Sequence, residues 1–390
     1  MTANDQGLDI SRRDVLKGGT AVAAALGTSG LFGSEFVRAD DGARGVRRQL
    51  LYQCPYCGVG CGTVIQCEGD VIVGMVPDKD HPTNKGIQCI KGLNANEPVY
   101  QDRIEYCLVR KDMTDPLTGH VSATKGRFDD SVFRRASYEE AEEIVADKIA
   151  ALARKFGGNS IGLTGSGQLT MEAQWIENVL MKGILTSNSI EANARMCMTS
   201  AATAYYATYG SDTPPTCYDD IEEADFISFW GHNARESHPV LFWRVADHKQ
   251  KKGIPTLVSD PRRTGTVTGL EDIDPRNSFH FQTINGDISY LNAIAHVILA
   301  KYPEAVMPEE WLDANTAGWR EYVQAVKERY SPAQVVERLA RIDRGRIRVE
   351  DIERIAKLFA EATLAGRKRG RGGCLTFWGI GYNQMIHGQH

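Results

Sequence analysis

Three cysteines crowd into the stretch Cys54-Pro55-Tyr56-Cys57-Gly58-Val59-Gly60-Cys61-Gly62, and a fourth follows in Gly86-Ile87-Gln88-Cys89-Ile90-Lys91-Gly92, giving the spacing C-x2-C-x3-C-x27-C. No other feature limits the fold as much. Two thiolates separated by two residues converge on one metal centre from a tight turn, and the glycines let the backbone wrap closely around it. A fourth ligand from a distant loop closes the cage. Zinc sites of four thiolates usually come as two C-x2-C pairs, so a tight triplet with one remote cysteine suits a [4Fe–4S] cluster better. Zinc stays open as an alternative, as do two disulfides in an exported chain, although disulfides do not need this density of glycine. Cys67, Cys107, Cys217 and Cys374 are scattered singly and read as small buried hydrophobes.

Around that cysteine set the chain looks like an ordinary globular protein. It has 390 residues, 42% hydrophobic and 24% charged, which excludes disorder, collagen-like repeats and coiled coil and leaves room for two or three domains. A net charge of −5 argues against nucleic acid or an anionic membrane held by bulk charge. Past the N-terminus no apolar run reaches the roughly 18 residues of a membrane span. The N-terminus itself reads as an address. Ser11-Arg12-Arg13-Asp14-Val15-Leu16-Lys17 precedes a small, mildly apolar stretch from Gly18 to Phe32, and Val37-Arg38-Ala39 offers a cleavage site. This is a twin-arginine signal over residues 1–39, although Val15 stands where such signals usually carry Phe. That route exports folded proteins, so it implies a cofactor inserted beforehand and a periplasmic destination.

The remainder reads as α/β. Ser137-Tyr138-Glu139-Glu140 fits a capping box, and Ala141, Ile144, Val145, Ile149 and Leu152 follow at helical spacing until Gly157-Gly158. Ser160 to Gly165 reads as a short buried strand and Met171 to Gly183 as a helix. Strands at Phe226–Trp230, Pro255–Val258 and Phe279–Thr283 alternate with helices at Pro239–Lys251 and Ile288–Leu299, which indicates parallel sheets covered on both faces. Such sheets bind ligands beyond the carboxyl ends of their strands, where the loops Gly165-Ser166-Gly167-Gln168, Gly231-His232-Asn233 and Asn285-Gly286-Asp287 fall. Together these loops suggest one large phosphate-bearing ligand. Residues 320–370 are charged and helical in spacing, and Gly366 to Gly373 reads as a basic, solvated surface loop.

Three further stretches carry a resemblance: Asn193-Ala194-Arg195-Met196-Cys197-Met198-Thr199-Ser200-Ala201, Pro214 to Asp220, and Gly231-His232-Asn233-Ala234-Arg235-Glu236-Ser237-His238-Pro239. In order after Cys54–Cys89, from about Leu50 onward, they resemble the prokaryotic molybdopterin oxidoreductases that carry molybdenum bis-molybdopterin guanine dinucleotide and one [4Fe–4S] cluster, nitrate reductases above all. The resemblance implies a small N-terminal iron–sulfur domain (48–110) followed by two interleaved parallel-sheet α/β domains. These are 111–185 with 360–390, incomplete, and a Rossmann-like 186–359 holding the guanine dinucleotide. Cys54, Cys57, Cys61 and Cys89 would hold the cluster, Cys197 would ligate molybdenum, and Lys91 would lie between cluster and pterin. Gln168 and Asn193 would line the pterin. Trp230, Gly231, His232, Asn233, Ala234, Arg235, Glu236 and Ser237 would hold the dinucleotides with Ser259, Asp260, Pro261, Arg262 and Arg263. Asn285, Gly286 and Asp287, with Ile380 and Gln384, complete the implied cofactor contacts.

The same resemblance implies a reaction. Formate dehydrogenases of the family typically place His directly after the Cys or selenocysteine ligand. Here Met198 follows Cys197, which favours nitrate. Cys89 supplies the fourth cluster ligand that three-iron relatives lack. The Ser259–Thr264 stretch is closer to assimilatory enzymes, and the export signal to periplasmic ones. Arg195 and Arg235 are candidates for attracting the anion, with Cys197, Lys91 and Arg195 as the catalytic set. The implied partners are nitrate, an electron donor such as a c-type cytochrome subunit or a ferredoxin, and the twin-arginine export machinery with a maturation chaperone. Other oxyanions, formate, or a fragment limited to electron transfer are the alternatives. Catalytic subunits of the family are about twice this long, so a truncated chain lacking a C-terminal barrel domain is the expectation.

Overall fold

The computed structural model of the chain describes residues 47–111, 132–385 and 387–390; the signal read over 1–39 lies outside them. The described residues divide into two compact units, one holding Glu97–Thr199 and the other 47–96 with Ser200–His390.

The second unit begins with a cysteine lobe. Strands β1 (Arg47–Gln53), β2 (Gly62–Glu68) and β3 (Val71–Pro77) form an antiparallel meander. Gln53 faces Gly62 across the first hairpin, so the cysteine triplet is the hairpin loop, closed by the Cys54 N–H donating to the Cys61 carbonyl at 2.9 Å. Buried Asn84 accepts from the Gly62 N–H at 2.8 Å and donates to the carbonyls of Gly62 and Ile87. That amide ties the following loop to the hairpin and delivers Cys89, directly ahead of the one-turn helix α1 (Ile90–Leu93), to the triplet.

In the first unit, β4 (Cys107–Arg110) and β5 (Phe133–Ala136) pair antiparallel ahead of α2 (Tyr138–Phe156). Ser137 caps α2, its side chain accepting from the Glu140 N–H. The reciprocal half of the expected box does not form with Glu140, whose carboxylate pairs with Arg134 instead. Next come β6 (Leu163–Gly165), α3 (Met171–Asn178) and β7 (Ile190–Ala192), the two strands parallel. The expected buried strand from Ser160 is thus three residues long and not fully buried. The expected helix to Gly183 changes at Val179 into a π-helical segment, Val179–Ile184. The wider turn buries Met181 and Leu185 completely against Ala153. Helix α4 (Ala194–Cys197) follows β7 and ends this unit; α5 (Thr199–Tyr209), next in sequence, lies in the second unit from Ser200 on.

The larger part of the second unit is a parallel sheet, order β10-β9-β8-β11, made of β8 (Ala224–Trp230), β9 (Thr256–Ser259), β10 (Ser278–Phe281) and β11 (Gly373–Trp378). Both faces are covered, which is why Phe226 to Trp230 reads as one apolar run. On one face Ile227, Phe229 and Val258 pack with Val240, Leu241 and Val245 of α6 (Pro239–Lys252) and with Val267 and Leu270 of α7 (Gly265–Ile273). On the other face Phe226, Leu257 and Phe281 pack with Tyr290 and Ile294 of α8 (Asp287–Lys301), and with Val335, Leu339, Ile352 and Ile355 of the helices that follow. Helices α9 (Trp319–Arg329), α10 (Pro332–Asp343) and α11 (Val349–Arg369) fill the charged stretch.

Two expectations change here. Helix α11 runs to Arg369, so the basic loop begins only at Gly370. Gly366 sits inside the helix because a Cβ there would meet the Gly372 carbonyl at 2.6 Å. Residues 360–390 were grouped with 111–185, yet β11 hydrogen-bonds in parallel to β8; neighbours so far apart in sequence leave no local signal. The cysteine lobe shares a core with this sheet, since Cys54, Cys61 and Cys89 cluster with Ile227, Val240 and Leu241. Arg244 of α6 locks the join, donating to the Thr83 carbonyl at 2.9 Å, to Glu222, and to Asp219 at 3.0 Å.

Candidate functional site

All four parallel strands end on one edge of the sheet, and their loops carry the segments expected to hold a dinucleotide. The order β10-β9-β8-β11 reverses between β8 and β11, which places the crevice that ligands favour at the ends of those two strands. There Gly231, at φ +59°, lies against Gly381: a Cβ on Gly231 would sit 2.8 Å from the Gly381 Cα. The Gly379 N–H donates to the Trp230 carbonyl at 3.0 Å, and the Gly381 N–H to the Gly231 carbonyl at 3.2 Å. Close backbone approach is therefore the reason for both glycines. Trp230 and Ala234 are buried, Trp230 donating to Ser228 Oγ at 2.9 Å, so both shape the loop from beneath.

The remaining residues of these loops hold one another. Asn233 donates to Glu236 at 2.6 Å and accepts from Thr266 Oγ1 at 2.9 Å, while the Arg235 guanidinium donates to the Gly265 carbonyl. Ser237 Oγ donates to the Asn233 carbonyl. Asp260 is buried and accepts from the Arg262 N–H at 2.8 Å; Arg263 pairs with Glu271; Pro261 and Arg262 are exposed. Tyr382 joins three of the loops. Its hydroxyl is 2.9 Å from Ser259 Oγ and bonds Asp287, and burial raises the pKa of both Tyr382 and Asp287. Asn285 (φ +58°) and Gly286 (φ +81°) are both left-handed, which turns the chain sharply into α8. Ile380 and Gln384 are exposed.

On the cysteine lobe, Cys54, Cys61 and Cys89 are buried and Cys57 half-buried. Burial, reinforced by the neighbouring cysteines, pushes the Cys61 thiol up to about 12 and raises that of Cys54, while the Lys91 charge pulls Cys54 the other way. Thiols raised in this way lose their protons more readily when a metal takes the charge. All nine cysteines are unbridged, which removes the disulfide alternative from this structure. Among the described residues no three His, Cys, Asp or Glu groups could hold a single metal ion. Of the lone cysteines only Cys67 is buried; Cys107 and Cys374 are half-buried and Cys217 is exposed, contrary to the expectation. Cys217 is exposed because it caps the 3-10 turn Tyr218–Glu223, its N–H donating to Asp220 at 2.7 Å.

In the first unit, Gln168, Asn193, Arg195 and Cys197 come together at the carboxyl ends of β6 and β7. Asn193 Oδ1 accepts from the Gly167 N–H at 3.1 Å, and its own N–H donates to the Gly165 carbonyl. Arg195 Nε bonds Glu191 at 2.8 Å, and Cys197, at the end of α4, is exposed.

The residues fit the implied cofactors by an observation on each side: four unbridged cysteines gathered in one core, Cys57 at its margin, and two buried polar atoms left without partners at the sheet edge. These are the Thr264 hydroxyl, at the cap of α7 behind Arg262 and Arg263, and His232 Nδ1. An unsatisfied hydroxyl, helix N–H groups and an exposed guanidinium together suit a phosphate.

Residues 103–384 match the family model described as molybdopterin oxidoreductase, and residues 53–101 match its Fe4S4 domain. The chain belongs to the molybdopterin oxidoreductases. As a member it binds a molybdopterin form of molybdenum and a [4Fe–4S] cluster. Residues 9–29 match the twin-arginine translocation signal, which sends this oxidoreductase chain through that export machinery to the periplasm. It is 34% identical over 311 residues to the periplasmic nitrate reductase of Campylobacter fetus, covering 78% of this chain and 31% of that protein. It is 30% identical to the periplasmic nitrate reductase of Desulfovibrio desulfuricans (98% and 46%) and to a nitrate reductase of Synechocystis (86% and 42%). The chain thus spans less than half the length of these relatives. Among solved structures, the acetylene hydratase of Pelobacter acetylenicus superposes with a TM-score of 0.57 at 18% identity, over 85% of this chain and 40% of that one, a likeness of fold.

Sequence reasoning missed three participants. His238, which packs against Gly58 of the cysteine loop and lies 2.8 Å from His232 Nε2, carried only the signal of preceding Pro239. Thr264 could have been found as the cap before Gly265. Tyr382 lies between Ile380 and Gln384, the two residues of that segment the sequence points to, and its own role comes from loops distant in sequence.

Proposed function

We propose that this chain is the cofactor-bearing part of a nitrate reductase. Nitrate takes up two electrons and two protons and gives nitrite and water. Molybdenum, when bound by pterin dithiolenes and the Cys197 thiolate, supplies oxygen-atom transfer. What supports nitrate, beyond the names of the similar proteins, is that Met198 rather than His follows Cys197.

The chain's own residues do the rest. Gln168 and Asn193 line the pterin beside Cys197. Glu191 holds the Arg195 guanidinium by its Nε, leaving the terminal nitrogens for an anion of nitrate's size. The loops of residues 230–237, 259–263 and 285–287, with Ile380 and Gln384, hold the guanine dinucleotides, Arg262 and the start of α7 facing phosphate. Lys91 stabilises negative charge on the cysteine set, which favours electron arrival there from a c-type cytochrome subunit or a ferredoxin.

The test is turnover of the purified exported protein with reduced viologen and nitrate, with formate and arsenic or sulfur oxyanions assayed in parallel. Nitrate should be the preferred substrate, and Cys197→Ala should abolish its reduction while leaving iron content unchanged. Full nitrate turnover by Cys197→Ala, or preference for another substrate, would overturn the assignment.

A further inference from the structure

Strand β10 has a hydrogen-bonded neighbour on one side only among the described residues. Along its other side runs a groove of about 510 Å³, lined by the five consecutive residues 278–282 and, opposite, by 346–348 with Asp351, Arg354 and Ile355. A lining that follows the strand residue by residue means the groove tracks the strand edge. Its floor is apolar, formed by buried Leu257, Phe281 and Ile355. Its rim is basic. Arg346, Arg348 and Arg354 face a single carboxylate, Asp351, which is taken by Arg348 at 3.2 Å. Arg354 lies over the Phe279 ring, 3.7 Å from its centroid, and neither it nor Arg346 has a carboxylate partner among the described residues. A local excess of guanidinium stands out in a chain of net charge −5.

We propose that this groove receives an acidic, extended segment of a partner protein, which adds to β10 as an outer strand. An open edge offers a row of backbone N–H and C=O groups that a strand satisfies. Side chains alternate along a strand, so carboxylates at every second position of the segment meet Arg346 and Arg354 while the intervening apolar side chains cover the floor. A small anion would use the rim and leave the strand edge unpaired. Nothing in this proposal rests on nitrate reduction.

The probe is a fluorescein-labelled peptide of alternating Glu and Val, titrated by anisotropy into the full cofactor-loaded chain. It should bind saturably and slow hydrogen exchange of the amides in Phe279–Phe281. Arg346→Glu combined with Arg354→Glu should weaken it roughly tenfold or more. Arg354→Gln, which retains a planar group over Phe279, should weaken it less. N-methylation of the peptide at the strand-pairing positions should remove binding to the unaltered protein, which needs no variant to fold. Equal binding of the methylated peptide, displacement by inorganic pyrophosphate with no change in β10 exchange, or no binding at all would each overturn the proposal.

Discussion

Burying His232 makes the fold sensitive to acid. Burial, followed by the neighbouring His238, lowers its pKa from 6.5 to about 4, so between those values the unfolded chain takes a proton that the folded chain refuses. The stability involved is complete above about pH 6.5 and is lost as pH falls through 4. Thermal melts between pH 7.5 and 4.5 should therefore show a steeper acid loss for the native chain than for His232→Asn; parallel curves would contradict the assignment. The cysteine hairpin was readable as a cluster-type loop from its spacing, because thiol ligands must recur at intervals the backbone can close, whereas the role expected of Cys197 came only from the resemblance. His238 was not readable, because its role comes from Gly58, 180 positions earlier. Trp230 and Ala234 stand in the expected dinucleotide loop with their side chains in the core beneath it, so any contact they make with a cofactor is through backbone, a distinction that a motif does not encode.

The elements that carried a strong local period came through with boundaries shifted by only a few residues: β8, β9 and β10 of the parallel sheet, and helices α2, α6 and α8. What periodicity could not give was the change from α to π geometry at Val179, the extension of α11 to Arg369, and the seat of β11 beside β8. Each of these depends on packing against distant backbone. The β8–β11 junction can be tested directly. Gly381→Ala would place a methyl 2.8 Å from the Gly231 Cα, with backbone on both sides, and should cost about 3 kcal/mol of stability in denaturant titration. Gly253→Ala, at φ +66° with open space around it, should cost only the left-handed penalty of about 1 kcal/mol. The join between lobes makes a second contrast. Arg244 is 6% exposed and bridges Thr83, Asp219 and Glu222, so Arg244→Met should cost roughly 3 kcal/mol. Lys85→Met removes only the exposed pair with Asp219 and should cost less than about 1 kcal/mol. Equal losses for the two variants would mean that Arg244 does not hold the lobes.

At the scale of the whole molecule, composition and charge set the class, and the ordered motifs set the family. Among the described residues no helix is long and apolar enough to cross a membrane. The chain combines a signal for folded export with a cysteine set in which burial raises the thiols of Cys54 and Cys61 and a sheet edge where the Thr264 hydroxyl and His232 Nδ1 are left without partners. Because that route carries folded chains, the account predicts that cluster and pterin are loaded before export. The most direct measurement is the iron, molybdenum, zinc and guanine nucleotide content of the protein recovered from the periplasm. Iron and molybdenum in a ratio of about four to one, with guanine nucleotide released on acid hydrolysis and no stoichiometric zinc, is the predicted result. Stoichiometric zinc in place of iron, or iron without molybdenum and guanine nucleotide, would contradict it.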